Sequence, residues 1–112
     1  MPRVKSKARI SHRKTKAQTK GFKQARRVRI KAGKEAALHA GQYAYVGRKL
    51  RKRDLRSLWI ARISAAAKEN GMNYSNLIKD LKEKKIEIDR KILSEIATKD
   101  PETFQKILKE IK

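Results

Sequence analysis

Six cations crowd nine positions of the sequence: Arg48, Lys49, Arg51, Lys52, Arg53 and Arg56, with Asp54 the one acid among them. Lysine and arginine neutralise phosphates and release condensed counterions, which gives affinity for a polyanion without reading its sequence. Arginine adds forked contacts to phosphate and guanine. Upstream, Phe22, Tyr43 and Tyr45 offer flat faces on which exposed bases or ribose can stack. On a helix the six cations cover an arc of roughly 200°. That is too wide for one side lying on a flat charged surface, so a polyanion has to surround them. A membrane-surface helix would need a clearly apolar face, and this block has only Leu50 and Leu55.

Catalytic chemistry finds little to work with. An enzyme needs a nucleophile or a metal beside a positioned base, in a pocket that excludes water. The chain has no cysteine, its two histidines (His12 and His39) lack paired-ligand spacing, and there is no glycine-rich phosphate loop. Asp80, Glu83 and Glu87 stand among Lys79, Lys82, Lys84 and Lys85 and read as solvated helix-face pairs. Neither an enzyme, a cofactor, a metal site nor a small-molecule substrate is expected. Without cysteine, disulfide staples are excluded and nothing points to an oxidising compartment.

The elements that must position these cations follow from where the charge sits. The 112 residues carry 32 Lys+Arg against 11 Asp+Glu, a net +21. Residues 1–58 account for +18 of it and residues 59–112 for +3. The chain is electrostatically two objects. Its first 34 residues hold 14 basic residues and no acid, so alone in water this part should be largely unfolded. Residues 1–20 show neither helical nor strand periodicity and read as an extended basic tail. No apolar run approaches the roughly 20 residues of a membrane span, and the amino terminus lacks the apolar stretch of a signal peptide. A soluble, cytoplasmic protein with no membrane partner is expected.

From about Phe22 to Tyr45 the composition favours helix. Ala32, Ala36, Ala40 and Ala44, with Gly33, Ala37 and Gly41 beside them, form a face of small residues that permits close approach to another surface. A helix is expected from about Arg48 to Glu69. Along it the angular positions of Arg48 and Lys52 pass to Leu55, Trp59, Ile63 and Ala66, so the helix leaves a polyanion and enters a protein core, with Trp59 assigned to packing. Asn70-Gly71 ends it. Asn73 caps a helix burying Leu77, Ile78 and Leu81. Asp89 caps one burying Ile92, Leu93, Ile96 and Ala97, and Asp100-Pro101 opens a third with Phe104, Ile107, Leu108 and Ile111. Ile86 and Ile88 belong to a connector. The fold class is all-α: a long basic extension running into a long helix, then a small helical bundle. The domains are 1–58, a basic extension that folds on binding, and 59–112, a small globular domain.

Nucleic acid accounts for the basic half. Its candidate contacts are Arg3, Lys5, Lys7, Arg9, Arg13, Lys14, Lys20, Lys23, Arg26, Arg27, Arg29 and Lys34, the six cations of the block, and Tyr43 and Tyr45 as stacking partners. A tail followed by an all-round basic helix suits a folded, concave RNA better than a convex duplex. Leucine-zipper and helix-turn-helix readings fail, because no heptads follow the basic block and no second helix presents a recognition face. A histone-like DNA compactor stays open on charge alone.

Several strings carry a more specific likeness. They are Ala40-Gly41-Gln42-Tyr43-Ala44-Tyr45, Arg51-Lys52-Arg53-Asp54-Leu55-Arg56, Leu58-Trp59-Ile60-Ala61-Arg62-Ile63 with Ala65-Ala66-Ala67, Asn70-Gly71, Tyr74-Ser75, and Glu87-Ile88-Asp89-Arg90-Lys91-Ile92-Leu93. In this order and spacing they resemble the bacterial large-subunit ribosomal protein L-twenty family, over essentially the whole chain. Ser64, Lys68 and Ile30 depart from that family's usual asparagine, arginine and aromatic residue, and the tail before Gly21 is about two residues short. The resemblance implies direct binding to large-subunit ribosomal RNA early in assembly, with no part in peptide synthesis. It implies an extension threading between RNA domains and a helical domain docking at an RNA junction. Arg62, Lys68, Arg90 and Lys91 are the candidates for junction contacts. Neighbouring large-subunit ribosomal proteins are implied partners, and so is the protein's own operon messenger RNA, which some members repress.

Overall fold

In the computed structural model, which describes residues 6–112, chain order gives six helices and no strand among the described residues: α1 Lys7–Gln18, α2 Ala25–Val28, α3 Ile30–Glu69, α4 Tyr74–Glu83, α5 Arg90–Lys99 and α6 Pro101–Ile111. The all-α expectation holds. The chain divides into two compact units between Lys49 and Leu50.

The first unit departs from the extended tail expected for residues 1–20. Ser6 caps α1, its hydroxyl accepting from the Arg9 amide at 3.2 Å, and Ala, Lys, Arg and Gln supply favourable helix propensity. Arg9, Arg13 and Lys16 share one side of the helix and Lys7 and Lys14 lie on another, which leaves the face of Thr15 free of cations. Two threonines do the packing. Thr15 and Thr19 are buried, and their hydroxyls donate to the carbonyls of Ser11 and Thr15 at 3.1 and 3.0 Å, so no polar group is stranded by burial. Gly33 of α3 lies against them. A β-carbon there would stand 3.3 and 3.4 Å from the Thr15 and Thr19 methyls and 3.1 Å from the Arg26 carbonyl oxygen. The close approach expected of the Ala/Gly face is therefore made at Gly33, while Gly41 and Gly47 face open space.

Helix α3 begins some 18 residues before the expected start at Arg48. Nothing between Ile30 and Glu69 breaks it: there is no proline, and the alanines offset the glycines, which cost about 1 kcal/mol each. Its end is as expected. Gly71 adopts φ +75°, its amide bonds to the Lys68 carbonyl at 3.0 Å and that of Met72 to Ala67 at 2.9 Å, which satisfies carbonyls a bare helix end would leave open. Lys85 repeats this geometry after α4, with φ +55° in a residue that carries a β-carbon and amides 85 and 86 bonded to Lys82 and Leu81.

In the second unit Ile63 and Ala67 of α3, Leu77 and Leu81 of α4, Leu93 of α5, and Phe104, Leu108 and Ile111 of α6 form the core. Helix α6 packs on α4 and α5. Ile78, Ile96, Ala97 and Ile107 cover the core in part, as do Ile86 and Ile88 from the connector. Ile92 is half exposed, contrary to expectation. Leu55 and Trp59 are also displaced from the core stripe: Leu55 is exposed, Trp59 is half-buried, and both lie outside the core cluster, which starts at Ile63 because the shorter helices reach no further along α3. Asp100 caps α6 through its carboxylate, which accepts from the Thr103 amide at 3.2 Å. Asn73 and Asp89 occupy the N-cap positions of α4 and α5 without a side-chain hydrogen bond there.

Candidate nucleic-acid interface

Arg3 and Lys5 lie outside the described residues. In the first unit, α1 carries Lys7, Arg9, Arg13 and Lys14, and all are exposed. The turn and α2 carry Lys20, Lys23, Arg26, Arg27 and Arg29, and the first turns of α3 carry Lys34, likewise exposed. What holds these charges close together is the Thr15–Gly33 contact, which sets α1 against α3. Lys16 and Lys31 share these surroundings and are exposed too. Neither is among the candidates named from the sequence, although Lys16 follows Arg9 and Arg13 at helical spacing.

Further along α3, Tyr43 is 76% exposed, far more than packing would leave it. Tyr45 is about half exposed, and the Lys49 ammonium sits 4.5 Å from its ring centroid. This cation–π pair, one helical turn apart, fixes a charge beside an aromatic face. Arg48 is exposed, as are Arg51, Lys52, Arg53 and Arg56 in the second unit.

The four junction candidates do not share one environment. Arg62 and Lys68 on α3 and Lys91 on α5 are exposed. Arg90 is half-buried, and its Nε donates to the Tyr74 hydroxyl at 3.0 Å. Part of its guanidinium thus ties the start of α5 to the start of α4, leaving the remaining donors of the fork for an external partner.

Pairing decides what this surface can do. Among the described residues a single ion pair forms, Lys79–Glu83 at 3.7 Å across a turn of α4, and none of the candidate cations is matched to a carboxylate. Such an array stores repulsion that small counterions screen and that a polyanion can relieve. Asp100 is held below the usual carboxylate range by hydrogen bonds from the Thr103 side chain and amide. It belongs to the α6 cap and has no part in the interface. No group of His, Asp and Glu suited to a metal ion occurs among the described residues. No helix among them is long and apolar enough to cross a membrane.

The family model described as Ribosomal protein L20 matches residues 3–107. The chain is 49% identical to the large ribosomal subunit protein bL20 of Albidiferax ferrireducens over 100% of this chain and 96% of the relative. It is 46% identical to that of Hahella chejuensis over 100% and 97%, and 49% identical to that of Sorangium cellulosum over 97% and 93%.

Proposed function

Since the chain belongs to the ribosomal protein L20 family, a family of structural ribosomal components and not of enzymes, we propose that it is a cytoplasmic constituent of the large ribosomal subunit that binds large-subunit ribosomal RNA directly and promotes early subunit assembly. The carrying observation is the array of exposed cations, from Lys7 to Arg56, with no carboxylate partner among the described residues. RNA phosphates supply the missing counter-charge.

The two parts divide the work. Residues 59–112 fold alone around Ile63, Leu77, Leu93 and Phe104 and present Arg62, Lys68, Arg90 and Lys91 to a formed RNA junction. Residues 1–58 take their final form on RNA. In the first unit only Thr15, Thr19 and Gly33 are buried among the described residues, too little apolar area to offset the entropy of ordering such a segment. Neighbouring large-subunit proteins meet the outer surface of the same particle. The leader of the protein's own messenger RNA binds by the same surfaces where it presents a similar junction.

The test is a competition assay with deproteinised large-subunit RNA, structured RNA of unrelated sequence and duplex DNA. Preference for the ribosomal RNA is expected. Equal affinity for duplex DNA would replace this reading with that of a DNA compactor.

A further inference from the structure

Within the first unit runs an open groove of about 670 Å3, inside the range of roughly 300–1,000 Å3 typical of small-ligand sites. Ala32, Ala36 and Ala40, one turn apart on α3, give it a floor of methyl groups. The adjoining row of the same helix contributes Glu35, His39 and Tyr43. Phe22, Lys23 and Arg26 come to it from the segment before α3.

Glu35 is the anomaly in this lining. It is the single acid in the first 53 residues, it is exposed, and it makes no ion pair with any described residue. A carboxylate in a surface that gathers phosphates lowers affinity by repulsion unless it accepts hydrogen bonds from the nucleic acid. The strongest donors RNA can offer are base N–H groups. Guanine carries two side by side, N1–H and N2–H, which match the two oxygens of one carboxylate; adenine and uracil have no such pair. An unpaired base also brings a flat face, for which the half-buried Phe22 and the exposed Tyr43 provide aromatic surface. Alanine methyls let such a ring approach the helix where longer side chains would fill the space. Lys23 and Arg26 are placed to meet the phosphates on either side of it.

We propose that this groove holds one unpaired guanosine of the bound RNA, with Glu35 accepting from N1–H and N2–H and Phe22 and Tyr43 stacking on the base. The inference rests on the RNA reading above and gives the extension a point of base recognition that phosphate contacts alone lack.

The sign of a single substitution tests it. In the full-length chain Glu35→Gln removes a negative charge, so a purely electrostatic surface would bind large-subunit RNA more tightly. A guanine acceptor would bind it at least fivefold more weakly, and Phe22→Leu would weaken it as well. Kethoxal, which reacts at N1 and N2 of unpaired guanine, gives the second measurement. At saturating protein, a guanine protected by the unsubstituted chain should become reactive with Glu35→Gln while other protections persist. An unchanged kethoxal pattern, or Glu35→Gln binding that is equal or tighter, overturns the guanosine site and leaves the RNA function standing. Failure of the unsubstituted chain to bind the RNA overturns both.

Discussion

Thr15 and Gly33 meet so closely that a β-carbon on Gly33 would stand 3.3 Å from the Thr15 methyl. With the Arg26 carbonyl 3.1 Å away on the backbone, little can yield. Gly33→Val therefore overpacks the contact, at a cost of about 1–3 kcal/mol, which exceeds the propensity gained by losing a glycine. If the extension reaches its final form on RNA, this cost appears in binding. Affinity for large-subunit RNA should fall about tenfold or more, with the melting of the second unit unchanged.

Electrostatic attachment makes binding depend on salt. The logarithm of affinity should fall linearly with that of salt concentration, with a slope of several units. Replacing Arg51, Arg53 or Arg56 singly by alanine should reduce the slope by about one unit wherever the residue meets a phosphate. A flat salt response, measured by filter binding, would contradict the role given to these side chains.

The second unit owes its stability to apolar volume. Phe104 is 1% exposed at the centre of the core, so Phe104→Ala should cost about 3–5 kcal/mol. Residues 59–112 expressed alone should melt cooperatively by circular dichroism, and the substituted fragment should be largely unfolded at 37 °C.

Lys85 adopts φ +55°, a left-handed conformation that costs a residue with a β-carbon about 1 kcal/mol. Lys85→Gly should raise the stability of the 59–112 fragment by about that amount in urea denaturation. The gain comes without touching the core.

Asp100 gives the α6 cap a dependence on pH. Its folded pKa is lowered by the Thr103 hydrogen bonds, so it stabilises the fold above its unfolded value of about 3.9 and loses that contribution as pH falls through the lower folded value. Asp100→Ala should lower the melting temperature at pH 7. The difference from the unsubstituted chain should shrink below about pH 4.

What could be read from the sequence was whatever depends on neighbours in sequence. Phe104, Leu108 and Ile111 repeat with helical period and are buried together; Gly71 ends α3, and Asp100-Pro101 starts α6. Net charge was a poorer guide. It pointed to an extended tail where Ser6 and the spacing of Arg9, Arg13 and Lys16 support a helix. The apolar stripe on α3 begins two turns too early when read from sequence: Leu55 and Trp59 share the side of Ile63, but the shorter helices cover only Ile63 and Ala67 fully, and Leu55 is exposed. The exposed cations were legible by type alone. The groove around Glu35 was not, because Phe22 and Ala36 come to line one groove only through the turns of the chain at Gly21 and Gln24.

The first unit coheres through backbone clearance at Gly33 and two threonine methyl contacts, with no large buried apolar residue among those described. Opening it uncovers almost nothing sticky. Losing the docking of α1 therefore exposes no large apolar surface of the kind that drives aggregation. Its exposure is of another kind: an opened segment this dense in lysine and arginine presents many cleavage points to trypsin-like proteases.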